Sequence, residues 1–433
     1  MSRVVYLIAL LTVLGGLPAQ DPPADLCGRY VNEDGFRVLY LWGTPEQRGF
    51  AQGWLLADVI VRNLDADLTK LMGRARKNQY EERLIKTVVP RFAFSADEEA
   101  ELAGMLKGIE ARLPQEERRI GLLGRALSLA DLKATNTVGD WMSLGCSTFV
   151  VDGTYTKDGA PAVARNFDFP GFRMVLDDQH IVVHAPDGDS LGWVGVSYPG
   201  SVATMTALNS DGVFISIHDV MVIPSLLAPF RPNVPRLCAL RRVMRDVSSV
   251  GAIASVHERL KSWKTMYGNN FMVVTPGANK GDPFAGVFEY DSRYKATDGV
   301  HLRVTDHLDS KGQPFLLCTN HHRVRKPRRD DPEKLCRRYN GLRDAVAGID
   351  SSAGVKVSAE RLFEVLSVAA FPKNDRPQAR YRHGTTHQAV AFTGSKELWV
   401  RLGVVGKNIR QITPRRVKVS EALAAAKAFS SKR

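Results

Sequence analysis

The chain changes its hydrophobic period once, at Gly145, and that change constrains the fold more than any other feature. From Thr44 to about Asp140 apolar residues recur at helical spacing. Thr44-Pro45-Glu46-Gln47 makes a capping-box start with Pro at the first helical position, and Phe50, Trp54, Leu55, Val59 and Ile60 follow on one side. Ala96-Asp97-Glu98-Glu99-Ala100 opens another helix, with Leu102, Met105, Leu106 and Ile109 along it. After Gly145 the period becomes 2, giving strands at Ser147 to Val151, Pro161 to Arg165, His180 to His184, Leu191 to Ser197, Ala203 to Leu208 and Val213 to Ile217. Tight turns such as Lys157-Asp158-Gly159 and Ser210-Asp211-Gly212 join them, which implies antiparallel sheets. Helices return at Arg236 to Arg245 and Val250 to Ser262. Strands follow at Asn270 to Val274, Gly286 to Tyr290 and Phe315 to Cys318, then a helix at Ala359 to Val368 and a strand pair at His387 to Phe392 and Glu397 to Leu402. Helices segregated around antiparallel sheets describe an α+β layered fold.

At 433 residues with 44% apolar residues, the chain can bury a sizeable core. Its first residues read as a signal peptide: Arg3 is a short positive region, Val4 to Val13 an apolar one, and Ala19 ends a small-residue stretch fit for cleavage. The apolar run is too short for a comfortable membrane span of about 20 residues. The expectation is an exported protein without stable membrane insertion, divided as signal 1–19, a mostly helical part 20–145, and a catalytic part 146–433 that forms one structural unit with it. The net charge of +13 is concentrated in a loop-like region, His321 to Arg343, with Arg323, Arg325, Lys326, Arg328, Arg329, Arg337, Arg338 and Arg343. Without a nucleic-acid motif, that cluster reads as a solvated face or an attraction for acidic substrates or envelope polymers. Five cysteines, Cys27, Cys146, Cys238, Cys318 and Cys336, leave at least one thiol outside any intrachain pairing; the others could form two bridges or none.

Gly145-Cys146-Ser147-Thr148-Phe149-Val150-Val151 places a cysteine directly before a strand, behind a small residue at which a backbone could be cut. Inside a chain, Cys146 would need a neighbouring His to form thiolate, and no papain-type signature surrounds it. Cut between Gly145 and Cys146, its own α-amine, with an ordinary pKa near 7.7 to 8.0, becomes a general base beside the sulfur. Ala162-Val163-Ala164-Arg165-Asn166-Phe167-Asp168 then returns a cation and a carboxylate three residues apart on a second strand.

These segments, together with Leu208-Asn209-Ser210-Asp211-Gly212-Val213, Cys318-Thr319-Asn320-His321, Thr385-Thr386-His387-Gln388-Ala389-Val390 and the early Gly43 to Gly53 stretch, resemble the penicillin acyltransferase family. That family belongs to the N-terminal nucleophile hydrolases, with choloylglycine hydrolases and acid ceramidase as relatives, and the resemblance runs in order from about residue 40 to 405. It implies a four-layer αββα sandwich, self-cleavage before Cys146, and hydrolysis of a linear amide in a small molecule. It makes Cys146 the thiol nucleophile and α-amino base, Arg165 the cation against the sulfur, Asp168 the carboxylate holding the new amine, and Asn320 a donor to the oxyanion. Arg338, with Arg337 as an equally legible neighbour, matches the arginine that closes the site.

The chain departs from the pattern at His218-Asp219, where relatives often carry an asparagine, so the second oxyanion donor is open: a backbone N–H, or acid–base chemistry from His218. Asn209 reads as the start of the Ser210-Asp211-Gly212 turn, and His387 has no assigned role. No cofactor is expected. His321-His322 and His383 with His387 lack any helix-borne H-E-x-x-H or paired C-x-x-C, so no metal is expected. No G-x-S-x-G elbow, P-loop or Rossmann fingerprint appears in context. Two further readings stand beside the hydrolase: an acyltransferase using the same thioester, and a binding protein that kept the fold without activity. Substrate identity and oligomeric state are not legible.

Overall fold

The computed structural model describes residues 21–72, 78–141, 145–170, 173–186, 188–220, 232–265, 268–277, 283–291, 299–304, 307–308, 312, 314–324, 336–349, 356–370 and 383–431. The signal segment, residues 325–335 of the basic cluster and the stretch 221–231 lie outside them.

The strands are β1 Gly28–Glu33, β2 Phe36–Gly43, β3 Arg119–Ile120, β4 Arg125–Ala126, β5 Gly145–Val151, β6 Ala162–Pro170, β7 His180–Pro186, β8 Trp193–Ser197, β9 Thr206–Asn209, β10 Phe214–Val220, β11 Gly268–Val274, β12 Ala285–Tyr290, β13 Val300–Arg303, β14 His307–Leu308, β15 Pro314–Cys318, β16 His383–Phe392, β17 Glu397–Leu402 and β18 Arg415–Lys418. The helices are α1 Pro45–Leu55, α2 Ala57–Met72, α3 Ala96–Arg112, α4 Leu129–Asn136, α5 Val138–Trp141, α6 Arg173–Leu176, α7 Arg236–Asp246, α8 Ala252–Ser262, α9 Arg337–Ala347, α10 Ala359–Leu366 and α11 Val419–Ser431.

Two large sheets face each other. One runs β1-β2-β7-β8-β9-β10-β11-β12-β13 and the other β14-β15-β5-β6-β16-β17-β18. Helices α7 and α8 cover the first sheet, and α9 and α10 cover the second, giving the four αββα layers the resemblance implied. The alternation of β5 explains the layering: Cys146 and Val150 join the core between the sheets, while Phe149 and Val151 join a second core with Tyr339, Leu342, Leu362 and Phe363 of the covering helices. Among the described residues, no helix is long and apolar enough to cross a membrane.

Four features differ from the sequence reading. The first sheet is not wholly antiparallel, because β2 pairs with β7 in parallel. The segment before Gly145 is not only helical: β1 and β2 pair through the Asp34-Gly35 turn and form an edge of that sheet. The region read as a loop, His321 to Arg343, contains the start of α9, so Arg337, Arg338 and Arg343 are helical. Strands β6 and β16 also run further than their apolar cores suggested, to Pro170 and back to His383, because buried polar residues there bond across the sheet rather than to water.

Helix α1 starts as read, with the Thr44 hydroxyl accepting from the Gln47 N–H and the Gln47 side chain returning to Thr44 N. It packs against α3 through glycines on both. A Cβ on Gly53 would stand 2.0 Å from the Met105 carbonyl oxygen, and one on Gly104 would stand 2.2 Å from that of Glu46. Backbone cannot yield as a side-chain tip can. Gly53→Ala is therefore expected to cost about 3 kcal/mol, as overpacking does, read as a lowered midpoint in chemical denaturation; an unchanged midpoint would contradict this packing. The same contact delivers Glu101 to Arg48 and Arg241 of α7, all buried, and these cations hold Glu101 well below the usual carboxylate range against the upward push of burial.

Candidate active site

Cys146 is the second residue of β5. Phe167 lies opposite it in register, and Thr148 lies between Arg165 on β6 and Cys318 on β15. Its thiol is fully buried between the sheets, where the Arg165 Nη2 donates to Sγ at 3.3 Å and to the Ile217 carbonyl, on the facing sheet, at 3.0 Å. The Phe167 ring packs beneath that guanidinium, 5.3 Å from its centroid. Burial pushes the Cys146 thiol up to about 12, with the Arg165 cation pulling the other way. In the uncut chain the sulfur is thus a neutral thiol beside a cation that favours its ionised form.

The other face of β5 carries the remaining candidates. Asp168 pairs with Gly145 in register, and a Cβ on Gly145 would stand 3.6 Å from Asp168 Oδ2. Oδ1 accepts from the Thr385 hydroxyl at 2.6 Å and Oδ2 from Arg338 Nη1 at 3.0 Å. Burial raises the Asp168 pKa against the pull of Arg338. Arg338, in the first turn of α9, also donates from Nη1 to the Cys146 carbonyl at 3.0 Å and from Nη2 to Asn320 Oδ1 at 2.7 Å. That Oδ1 accepts from the Cys146 N–H at 2.9 Å, while Asn320 Nδ2 donates to the Asp219 carbonyl at 2.8 Å. Cys146 is therefore clamped at its nitrogen by Asn320 and at its carbonyl by Arg338, with Gly145 against Asp168.

Arg165, Asp168, Asn320 and Arg338 all converge on Cys146, and Arg337 is exposed, so the two neighbouring arginines separate. The sequence reading gives the new α-amine of a cut chain to Asp168 and an oxyanion to Asn320; in the uncut chain Asn320 holds the Cys146 peptide nitrogen. The physical reason is that an intact peptide nitrogen has one hydrogen, directed by the strand. A free amine has more hydrogens to place.

The remaining candidates divide. Asp219 lies one step out: its carbonyl accepts from Asn320, and its carboxylate accepts from Arg236 Nη1 at 2.6 Å. His218 is buried, with Nε2 2.7 Å from the Thr148 hydroxyl, and burial followed by the Arg165 cation holds it neutral. Asn209 does not join the site: Nδ2 donates to the Met244 and Val247 carbonyls and Oδ1 accepts from Asp211 and Val213 N–H, so it ties the turn to the end of α7. Three neighbours carry no local signal for their place here: Thr385, within Thr385-Thr386-His387, and Arg236 with its second partner Asp140. Burial pushes Asp140 up to about 7 against the pull of Arg236. No spacing rule links residues so far apart. Cys146, Cys238 and Cys336 are free thiols.

No family model and no curated protein matches the chain. Among solved structures it is similar to the Caenorhabditis elegans ortholog of N-acylethanolamine-hydrolyzing acid amidase, at 13% identity over 63% of this chain and 100% of that one, TM-score 0.40. It is similar to penicillin V acylase from Agrobacterium tumefaciens, at 12% identity over 64% and 87%, TM-score 0.44. A mutant conjugated bile acid hydrolase from Clostridium perfringens aligns at 12% identity over 63% and 96%, TM-score 0.38. All three are N-terminal nucleophile hydrolases, the group that the motifs resemble.

Proposed function

We propose that this chain is an exported cysteine amidohydrolase that frees its own nucleophile by cutting before Cys146. One observation carries the reading: the Cys146 sulfur lies 3.3 Å from the Arg165 guanidinium while its own nitrogen, the atom that would become the α-amine, is held 2.9 Å from Asn320 Oδ1. In self-cleavage, Sγ attacks the Gly145 carbonyl carbon, and Asp168, the carboxyl next to Gly145, is the candidate base. The C–N bond breaks, the nitrogen takes a proton, and water hydrolyses the resulting Gly145 thioester. The products are a chain ending at Gly145 and one beginning at Cys146.

In turnover the α-amine takes the Sγ proton and Arg165 stabilises the thiolate. Sulfur attacks the carbonyl carbon of a linear amide in a small molecule. Asn320 Nδ2 and backbone N–H groups are the donors we assign to the oxyanion. The intermediate collapses as the α-amine returns its proton to the leaving nitrogen, and water then releases the acid from the thioester. If an amine intercepts the thioester instead, the same site transfers the acyl group. Met1 to Ala19, the proposed signal, supports export on composition alone.

The test uses the two-chain protein and a panel of N-acyl amides of graded acyl length. Acid-quenched mass spectrometry should show an acyl adduct on the chain beginning at Cys146, removed by hydroxylamine. Added amines that become acylated identify a transferase. Neither adduct nor turnover across the panel would favour the binding protein.

A further inference from the structure

Between the sheets, behind Cys146, two histidines cross in opposite directions. His218 reaches from β10 to Thr148 on β5, and His387 reaches from β16 to Thr206 on β9, with Nε2 to hydroxyl distances of 2.7 and 2.8 Å. Ser216 stands opposite Thr206 in register and on the same face of β10 as His218. Arg165 bonds the carbonyl of Ile217, the residue between Ser216 and His218. His387 stacks on Phe167, the same ring that packs under Arg165, at 4.9 Å between centroids.

All these side chains are fully buried, yet Arg165 Nε and Nη1, Ser216 Oγ and His387 Nδ1 have no hydrogen-bond partner among the described residues. Protein interiors leave very few such groups unsatisfied, and several in one layer call for a polar occupant. Its chemistry follows from the set. The guanidinium nitrogens only donate, the serine hydroxyl does both, and the imidazole is held neutral by burial and then by the Arg165 cation, so Nδ1 can accept. Water, which both donates and accepts, fits all of these; an anion fits only the donors.

We infer that this seam is an enclosed hydration site. Through its water, Ser216 and His387 act as positioning residues that keep the Arg165 guanidinium aimed at Cys146 Sγ. The second half of this inference rests on Cys146 being the nucleophile; the first does not.

Crystals of the wild-type protein diffracting to about 1.5 Å or better should show at least one buried water bridging Arg165 to Ser216 or His387. A dry, closed seam would overturn the hydration site, as would a halide that replaces the density on bromide soaking. For the positioning role, His387→Phe keeps the stacked ring and Ser216→Ala the volume. Each is expected to slow iodoacetamide capture of Cys146 at pH 7 about ten-fold and to move its pH midpoint up by about one unit, with His387→Gln restoring most of the rate. Variants that lose thermal stability but react at the wild-type rate, with the same pH midpoint, would leave the seam purely structural and overturn that role. The water measurement stands whether or not the enzyme cleaves amides.

Discussion

Purified wild-type protein is expected to separate under denaturing conditions into two chains, the larger beginning at Cys146, whereas Cys146→Ala remains whole. The reasoning is geometric. Gly145 and Cys146 open a buried strand whose next carbonyl is held by Arg338 and whose nitrogen is held by Asn320, so the bond between them has little freedom to leave the sulfur's neighbourhood. In the whole chain that nitrogen is an amide, which is no base, and burial keeps the thiol neutral with a pKa near 12. Cutting would supply the missing base beside the sulfur. Cys146→Ala should therefore abolish both cleavage and turnover, a loss of at least about 10³-fold, as when a nucleophile is removed from a unit that acts together. Intact mass and N-terminal sequencing read the first and amide turnover the second. A wild-type protein that stays in one piece while hydrolysing amides would show that the α-amine is not the base.

Arg165→Met should cost the second largest amount. Arg165 is the cation bonded to Sγ, fully buried, and Met fills similar volume without charge. Removing a cation next to an acid raises its pKa, so the thiolate fraction at neutral pH falls and reactivity appears only at higher pH. We expect a loss of about 10²-fold to 10³-fold in turnover at pH 7, on the scale of one electrostatic contact to developing charge. The alkylation rate of Cys146 should shift in the same direction. Arg165→Lys should recover only part, because one ammonium cannot bond both Sγ and the Ile217 carbonyl with the planar geometry of a guanidinium. Equal alkylation profiles for Arg165→Met and wild type would remove Arg165 from the chemistry.

Several of the site residues were legible because strands keep register. Cys146 and Arg165 lie on adjacent strands of a hairpin, so alternation alone puts them on one face, and Asp168 follows on the other. Asn320 and Arg338 were legible by resemblance, not by pattern, since β15 and α9 come to β5 from far along the chain. The basic cluster hid Arg338 among arginines of equal local character. What distinguishes it is that the first turn of α9 points it at Asp168 and Asn320, while Arg337 is exposed.

The sequence by itself determined the capped helices α1 and α3, the strand pair that carries Cys146, and the turn that Asn209 anchors, because these depend on local spacing, caps and tight turns. Only the tertiary structure decided that β1 and β2 complete the first sheet, that Asn320 holds the Cys146 nitrogen of the uncut chain, and that His218 bridges to Thr148. Those outcomes depend on which distant groups share a buried space, and desolvation there sets charge and partners in ways that no neighbouring residue reveals.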